Sequence, residues 1–272
     1  DRFIDVSRFD DAHVAALLRA HEIDILVDLK GYTADSRTGI LALRPAPIQV
    51  NYLGFPGTMG ADYIDYLIGD ATVTPPEHDA FYAEKIVRLP GSYQVNDRQR
   101  TIAPGCPTRA ACGLPEDGFV FCSFNNNFKI TPVVFDIWMR LLQQVPGSVL
   151  WLLKANADAY ANLQREAQSR GVDPARLVFA ARVPLAEHLA RHRLADLFLD
   201  TLPCNAHTTA SDALWAGLPV LTCLGETFAG RVAASLLRAA GLPELVTTCL
   251  ADYETLALRL ARDPHTLAAL RG

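Results

Sequence analysis

The chemically most informative part of the sequence is residues 197–217, LFLDTLPCNAHTTASDALWAG, where a small polar loop separates an apolar strand-like run from a helix. The helix is predicted to begin at Thr208 or Thr209. Its free backbone N–H groups and positive end would then face the mouth of the strand. His207 adds an imidazole and the two threonines add hydroxyl donors. Such a set of groups suits a pyrophosphate.

The same residues also have a purely structural interpretation. Thr209 would then cap the helix, and Asp212, three residues on, would complete a capping box. For any one residue the cap is the simpler explanation, but the whole run H-T-T-x-x-D at the mouth of a parallel sheet favours a ligand. In that case Asp212 would accept hydrogen bonds from ribose hydroxyls.

A second polar loop, CSFNNNFKITP at residues 122–132, lies between an apolar strand and a helix that Thr131 is predicted to cap. Lys129 would project at the carboxyl edge of the sheet, where its ammonium can neutralise a phosphate oxygen. Otherwise it is a solvated loop lysine, and the asparagines at 125–127 are simple turn formers. The position of this loop beside the His207 loop favours the phosphate.

Two further segments carry candidate groups. In the helical stretch at residues 183–196, His188 and Arg191 share a face and could stack on and hydrogen-bond a nucleobase, although a solvated helix face explains them equally well. The loop LGFPGTMGAD at residues 53–62 contains three glycines, among them Gly54, that would let a ligand approach the backbone closely.

Several common signatures are missing from the sequence. Without a G-x-G-x-x-G, a Walker A motif or a G-x-S-x-G elbow, it does not favour a dinucleotide dehydrogenase, a P-loop ATPase or an α/β-hydrolase. Asp-x-Asp, the usual carboxylate pair that holds a metal on a sugar nucleotide, is also missing. The sequence therefore predicts a site with no metal and no cofactor, where lysine, imidazole, hydroxyls and a helix dipole act instead.

Alternating strands and helices must position these groups. From residue 119 onward, apolar strand-like runs and helices alternate five times, which indicates a parallel sheet covered on both faces, with ligands at the carboxyl ends of its strands. Residues 1–100 offer four strand-like runs and one clear helix. The polar stretch 91–118, broken by Pro and Gly, is predicted to connect two lobes.

Composition narrows the class of protein. A net charge of −5, with no run of Lys or Arg, argues against a nucleic-acid partner. The six cysteines have no C-x-x-C spacing and several lie in apolar runs, which indicates reduced, buried thiols in a cytoplasmic protein. The sequence contains no apolar run of 18 residues and no secretion signal, so no membrane contact is expected.

The sequence resembles the O-linked N-acetylglucosamine transferases, which move GlcNAc from UDP-GlcNAc to Ser/Thr hydroxyls of proteins. The matching runs include GYT, ALRPAPIQV, YLGFPGT, FNNNFKITP, VPGSVLWLLK, LADLFLDTLPCNAHTTASDALWAGLPVLT and GETFAGRVAASLL. The resemblance implies an α/β, GT-B-like fold with two Rossmann-like lobes and a donor cleft between them. Residues 1–100 would be the C-terminal part of an incomplete acceptor-side lobe, and residues 101–272 the nucleotide-sugar-binding lobe.

The resemblance also implies roles for individual residues. Lys129 and His207 would be catalytic, at the diphosphate of the departing UDP. The implied substrate-binding residues are Thr208 and Thr209 at the diphosphate, Asp212 at the ribose, His188 and Arg191 around the uracil, Phe128 and Cys204 near the N-acetyl group, Thr33 and Gly54 across the cleft, and also Asn126 and Val183. Family members often carry Tyr at Phe128, and some carry Lys at Leu185 or Asn at Lys30, which bears on fine donor preference.

The predicted function is an inverting, metal-independent transfer of GlcNAc to proteins. The family's catalytic region begins before residue 1, with tetratricopeptide repeats and a histidine proposed as base, and continues past Gly272, so the chain is expected to be trimmed at both ends. The alternatives are a related transferase with a glucose or fucose donor, and a non-catalytic nucleotide-sugar-binding module. UDP-GlcNAc epimerisation would need a carboxylate pair in the cleft, which the sequence does not suggest.

Overall fold

Two parallel sheets organise the chain, one in each of the units into which it divides, Asp1–Val95 and Asn96–Gly272. The computed structural model describes residues 3–154 and 156–271. The division after Val95 lies inside the stretch 91–118, which the sequence predicted to connect two lobes.

The first unit is built on a four-stranded parallel sheet with the strand order β1-β2-β3-β4. Each strand coincides with one of the four apolar runs of the sequence, and Asp10 caps the predicted helix by accepting from the His13 N–H at 2.7 Å. The elements of this unit are α1 (Asp11–Ala20), β1 (Ile25–Asp28), α2 (Thr38–Ala42), β2 (Ile48–Asn51), β3 (Tyr66–Asp70) and β4 (Lys85–Leu89). The short helix α2 was not predicted.

The second unit contains a six-stranded parallel sheet with the order β10-β9-β8-β5-β6-β7. Its strands are β5 (Val120–Ser123), β6 (Val149–Leu153), β7 (Leu177–Ala180), β8 (Leu197–Leu199), β9 (Val220–Cys223) and β10 (Val246–Thr247). The chain builds outward from β5 to β7, then returns to the other side of β5 and builds outward again to β10. This is the doubly wound arrangement, and its topological switch point lies between β5 and β8.

Helices connect these strands as the alternation predicted. The connecting helices are α3 (Pro132–Gln144), α4 (Ala157–Ser169), α5 (Leu185–Arg191), α6 (Thr208–Trp215) and α7 (Val232–Ala239), and α8 (Leu250–Arg262) and α9 (Pro264–Ala269) follow β10. Thr131 is the N-cap residue of α3 and Pro132 its first residue, as predicted. The Thr131 hydroxyl does not cap the helix, however, because it donates to the Leu202 carbonyl at 3.2 Å.

The sheet of the second unit is buried by these helices, and every residue of β5 and β9 is buried. Beneath the sheet, Trp138 on α3 donates its indole N–H to the Tyr253 hydroxyl of α8 at 3.2 Å. The Tyr253 hydroxyl in turn donates to the Asp200 carbonyl, directly after β8, at 3.0 Å. One tyrosine thus ties two helices to the strand that leads into the His207 loop.

The structure tests two expectations from the sequence, namely that the cysteine thiols are buried and that no segment spans a membrane. All six cysteines are free, but only Cys122 and Cys223 are buried, while Cys106 and Cys249 are exposed. The expectation of buried thiols is therefore wrong for the exposed pair, which lie in a loop and at a helix N-cap rather than in strands. Among the described residues, no helix is both long and apolar enough to cross a membrane.

Replacing Tyr253 by Phe is expected to lower the free energy of unfolding by about 1–3 kcal/mol, because a buried indole N–H and a buried carbonyl lose their partner. Urea denaturation of the purified chain measures this. Tyr160→Phe is the matched control, since the Tyr160 ring packs on Phe179 with a centroid distance of 4.4 Å and the described part of the chain offers its hydroxyl no hydrogen bond. Equal stability of the two variants would contradict the role of Tyr253.

Candidate functional site

The carboxyl ends of β5 and β8 lie side by side, since the two strands pair in parallel with Cys122 opposite Phe198. A cavity of about 430 Å³ lies at these ends, at the switch point where doubly wound sheets bind ligands. It is lined by Phe124, Asn125, Asn126, Lys129, Leu153, Arg182, Val183, His188, Arg191, His207, Thr208 and Thr209. The three segments that the sequence singled out after residue 119 therefore meet at one cavity.

Most of the predicted site residues of the second unit line this cavity. They are Asn126, Lys129, Val183, His188, Arg191, His207, Thr208 and Thr209. The structure brings these side chains together, and what each one binds stays a prediction. Sequence reasoning did not single out Phe124, Leu153 or Arg182, and it treated Asn125 only as one of three asparagines.

Lys129 joins the two loops at the switch point. It follows β5, is half-buried, and donates from Nζ to the carbonyl of Asn205, in the loop after β8, at 2.6 Å. The solvated-loop interpretation of this lysine is therefore wrong. Its remaining ammonium hydrogens are held at the wall of the cavity.

The loop after β8 is folded around the buried carboxylate of Asp200. Its Oδ1 accepts from the backbone N–H groups of Thr201 and Ala206 at 2.7 and 2.6 Å, and its Oδ2 accepts from the Thr222 hydroxyl at 2.6 Å. Burial raises the pKa of Asp200 to about 6, while these hydrogen bonds and the charge of Lys129 act in the opposite direction. At neutral pH the group is mostly ionised.

His207 is the N-cap residue of α6, and its ring is held by Ala229. The distance from Nε2 to the Ala229 carbonyl oxygen is 3.2 Å, and since a carbonyl can only accept, Nε2 must carry the hydrogen. Burial first, and the charge of Lys129 second, lower the pKa of His207 to about 4. The ring is thus neutral at physiological pH, with the Nδ1 lone pair unprotonated.

Thr209 is used differently from the expectation. Its hydroxyl donates to Oδ1 of Asn125 at 2.6 Å, so its hydrogen is committed within the protein, whereas Thr208 is exposed. The capping-box alternative is wrong as well, because α6 begins at Thr208 and its N-cap residue makes no side-chain cap hydrogen bond. The first N–H groups of α6 therefore have no acceptor within the helix.

At the other end of the cavity, His188 and Arg191 are packed rather than solvated. The Arg191 guanidinium lies 4.7 Å from the Phe124 ring centroid and donates to the Ala181 carbonyl and to Nδ1 of His188, both at 2.6 Å. Burial, then the neighbouring His192 and Arg191, lower the pKa of His188 to about 3. His188 is therefore neutral, with its hydrogen on Nε2, and the solvated-face alternative is wrong for this pair.

Arg182 is the one cavity residue with a cationic side chain that forms no hydrogen bond or ion pair within residues 3–154 and 156–271. It is exposed, and it follows β7 in a short loop. The sequence could have indicated Arg182 by its position directly after a strand of the parallel sheet, which is the reason why Lys129 was predicted. No aspartate or glutamate of the described residues lines the cavity.

Three predicted residues of the second unit lie outside the cavity lining. Asp212 is buried and forms an ion pair with Arg100, whose side chain is also largely buried. Burial raises the pKa of Asp212, although the Arg100 charge opposes this. Phe128 is exposed, and Cys204 contributes its carbonyl oxygen, which accepts from the Thr201 hydroxyl at 2.8 Å. Contacts of these residues with ribose or sugar stay predictions.

In the first unit, Gly54 is required by the chain itself. A Cβ at this position would lie 2.2 Å from the Leu29 carbonyl oxygen, so the close approach expected for a ligand is made by the protein's own backbone. Thr33 donates its backbone N–H to the Gly31 carbonyl at 2.9 Å. The predicted position of both residues across a cleft is untested.

The described ranges contain no group of three or more His, Cys, Asp or Glu side chains arranged to hold a metal ion. The groups that could act on an anion are the Lys129 ammonium, the Arg182 guanidinium, the Thr208 hydroxyl and the first N–H groups of α6. The arrangement therefore presents the Lys129 ammonium and the N–H donors of α6 where β5 and β8 end, and a neutral imidazole beside a guanidinium on α5.

The sequence and the fold have clear relatives. The chain is 42% identical over 276 residues to the probable UDP-N-acetylglucosamine–peptide N-acetylglucosaminyltransferase SEC of Arabidopsis thaliana, covering 99% of this chain and 28% of that protein. It is 30% identical over 384 residues to the UDP-N-acetylglucosamine–peptide N-acetylglucosaminyltransferase of Caenorhabditis elegans, covering 100% and 33%. A solved K341M mutant of the Thermobaculum terrenum O-GlcNAc transferase superposes with a TM-score of 0.90 at 38% identity, over all of this chain and 51% of that one.

These likenesses confirm the predicted α/β class and its GT-B type. The chain spans about a third or less of the length of the two curated relatives and about half of the solved one. The family model described as "Glycosyl transferase family 41" matches residues 1–106 and 104–272. The chain therefore belongs to glycosyl transferase family 41.

Proposed function

We propose that the cavity of the second unit binds UDP-GlcNAc and that the protein transfers GlcNAc from it to Ser/Thr hydroxyls of proteins, with inversion and without a metal. The observation that supports this most is the union, at one switch point, of Lys129 and the start of α6 with the His188–Arg191 pair. A nucleoside diphosphate needs an anion site at one end and a base site at the other. The cavity offers both.

In the proposed reaction, the acceptor oxygen attacks the anomeric carbon from the face opposite to the UDP. The bond from the anomeric carbon to the β-phosphate oxygen breaks, and its electron pair stays on the UDP, where negative charge grows. Lys129, Thr208 and the N-terminal N–H groups of α6 are placed to stabilise that charge electrostatically. The proton of the acceptor hydroxyl leaves to a general base.

The base end of the cavity is preorganised by packing. Arg191 is fixed between the Ala181 carbonyl and His188 and stacks on Phe124, so little side-chain entropy remains to be lost on binding. His188 lines the cavity as a neutral ring that carries its hydrogen on Nε2, because Arg191 donates to Nδ1. These features suit a planar pyrimidine, and Val183 lines the same cavity.

The rival functions make different demands on the cavity. Epimerisation needs acid and base carboxylates, and none from the described residues lines it. A glucose or fucose donor would use the same diphosphate groups, so calorimetry against UDP-GlcNAc, UDP-glucose and GDP-fucose separates these donors. A non-catalytic module would bind UDP-GlcNAc without transferring it in the full-length protein. A cytoplasmic location stays a prediction from the cysteine pattern.

The purified chain is expected to bind UDP with unchanged affinity in excess EDTA, because a lysine, an arginine and a helix N-terminus already supply positive potential. Isothermal titration calorimetry with and without EDTA tests this. If the chelator abolished binding and Mn²⁺ or Mg²⁺ restored it, metal independence would be wrong. Failure to bind UDP under any condition would remove the donor-site assignment itself.

Lys129→Ala in the full-length protein is expected to lower kcat roughly 100-fold or more, with a much smaller change in UDP-GlcNAc affinity, because the charge that it stabilises grows as the bond breaks. Lys154→Ala is the matched control, since Lys154 follows β6 at the same sheet edge but does not line the cavity. Steady-state kinetics with labelled UDP-GlcNAc gives kcat, and calorimetry gives the affinity. Normal turnover of the Lys129 variant would exclude it from the mechanism.

Arg182→Ala is expected to weaken UDP binding by the chain about two- to fivefold at low salt, with little effect on uridine, because an exposed cation at the cavity wall acts on phosphate charge. The effect should shrink as salt is added. Arg193→Ala removes an equally exposed arginine that is not in the cavity lining, and it should leave UDP affinity unchanged. Identical behaviour of the two variants would show that Arg182 has no specific role.

A further inference from the structure

A directional chain of hydrogen bonds crosses the switch point beneath the cavity. It runs from the Thr209 hydroxyl to Asn125 Oδ1 at 2.6 Å, from Asn125 Nδ2 to Thr201 Oγ1 at 2.9 Å, and from the Thr201 hydroxyl to the Cys204 carbonyl at 2.8 Å. Asn125 follows β5, whereas the other three residues follow β8. The amide of Asn125 is therefore the link between the two loops that carry Lys129 and His207.

The backbone fixes the direction of this chain. The Cys204 carbonyl can only accept, so the Thr201 hydroxyl must donate to it and is left to accept from Asn125. Asn125 must then direct its NH₂ to Thr201 and its carbonyl oxygen to Thr209. Toward Asn125 the Thr209 hydroxyl can only donate, which fixes its rotamer at the first turn of α6.

Burial makes this arrangement stringent. Asn125 is 3% exposed and Thr201 is 1% exposed, so neither can exchange its partner for bulk water. A buried polar group without a partner costs about 1–3 kcal/mol, so removing one hydrogen bond of the chain also destabilises the neighbouring hydrogen bond. Thr201 is not part of the cavity lining, so any effect of its hydroxyl on a bound ligand must pass through its two partners, Asn125 and the Cys204 carbonyl.

We propose that Asn125 and Thr201 are positioning residues for a nucleoside diphosphate, which set the orientation of Thr209 and of the α6 N-terminus opposite Lys129. This rests on the proposed function, in which the cavity binds UDP. Because the Cys204 carbonyl can only accept, the direction of each hydrogen bond in the chain is set, and the Thr209 hydroxyl hydrogen is directed to Asn125. A ligand therefore meets the oxygen lone pairs and the backbone N–H of Thr209, and the exposed hydroxyl of Thr208.

The decisive test compares Thr201→Val with Thr201→Ser in the 272-residue chain by calorimetry with UDP. Valine removes the hydroxyl and should weaken UDP binding about tenfold, whereas serine keeps it and should bind within about twofold of the wild type. Thr247→Val is the matched structural control, because the Thr247 hydroxyl is also buried, donates to the Thr222 carbonyl at 3.0 Å and lies outside the cavity lining. It should lower stability in urea without changing UDP affinity.

A double-mutant cycle of Asn125→Ala and Thr209→Val gives a second, independent measurement if Thr201→Val does not fold. Both changes break the same chain of hydrogen bonds. The double variant should therefore bind UDP with about the affinity of the weaker-binding single variant, and the two fold-losses in affinity should not multiply. Equal UDP affinity of Thr201→Val and wild type, or independent losses in the cycle, would overturn the proposal. A wild-type chain that does not bind UDP would instead overturn the proposed function.

Discussion

The carboxylate of Asp200 is the group on which the arrangement of the cavity depends most. Placed directly after β8, it accepts hydrogen bonds from the first and the last residues of the loop that leads to His207, and from the next strand through Thr222. Tyr253 holds its backbone carbonyl from below. Because the carboxylate is fully buried, each of these donors is needed to offset the loss of hydration.

The cavity forms at the switch point because the anchored loop after β8 lies beside the loop after β5 there. The sheet is extended from β5 toward β7 on one side and from β8 toward β10 on the other. A crevice therefore forms between β5 and β8, and the loops that follow these two strands line it. Lys129 and Asn125 both reach from the first loop to the second, one to the Asn205 carbonyl and the other to Thr201. The strands thereby fix the positions of both loops. The charged groups on these loops are then preorganised before a ligand binds.

Periodicity and apolar runs were sufficient to predict the strands, since all ten coincide with predicted runs. The sequence also predicted which three segments meet at the cavity, because parallel strands place their carboxyl ends at one edge. It could not predict how hydrogen bonds are shared there. Thr209 and Asp212 carry ligand-like side chains, yet one is committed to Asn125 and the other to Arg100, which lies 112 residues away in sequence. Such long-range pairings leave no local pattern, and the same is true of the backbone contact at Gly54.

The hydrogen bond from His207 to the Ala229 carbonyl would couple proton uptake to the binding of an anion in the cavity. Because the ring is neutral and its hydrogen is on Nε2, Nδ1 carries a lone pair, and an anion bound beside the ring would raise the pKa of His207 from about 4. Binding would then consume a proton and strengthen as the pH falls. A terminal phosphate that titrates near pH 6, such as that of UDP, can bring this proton itself, whereas a sugar diphosphate diester cannot. On the proposed function, donor and product would thus differ in the pH dependence of their affinity for one and the same cavity.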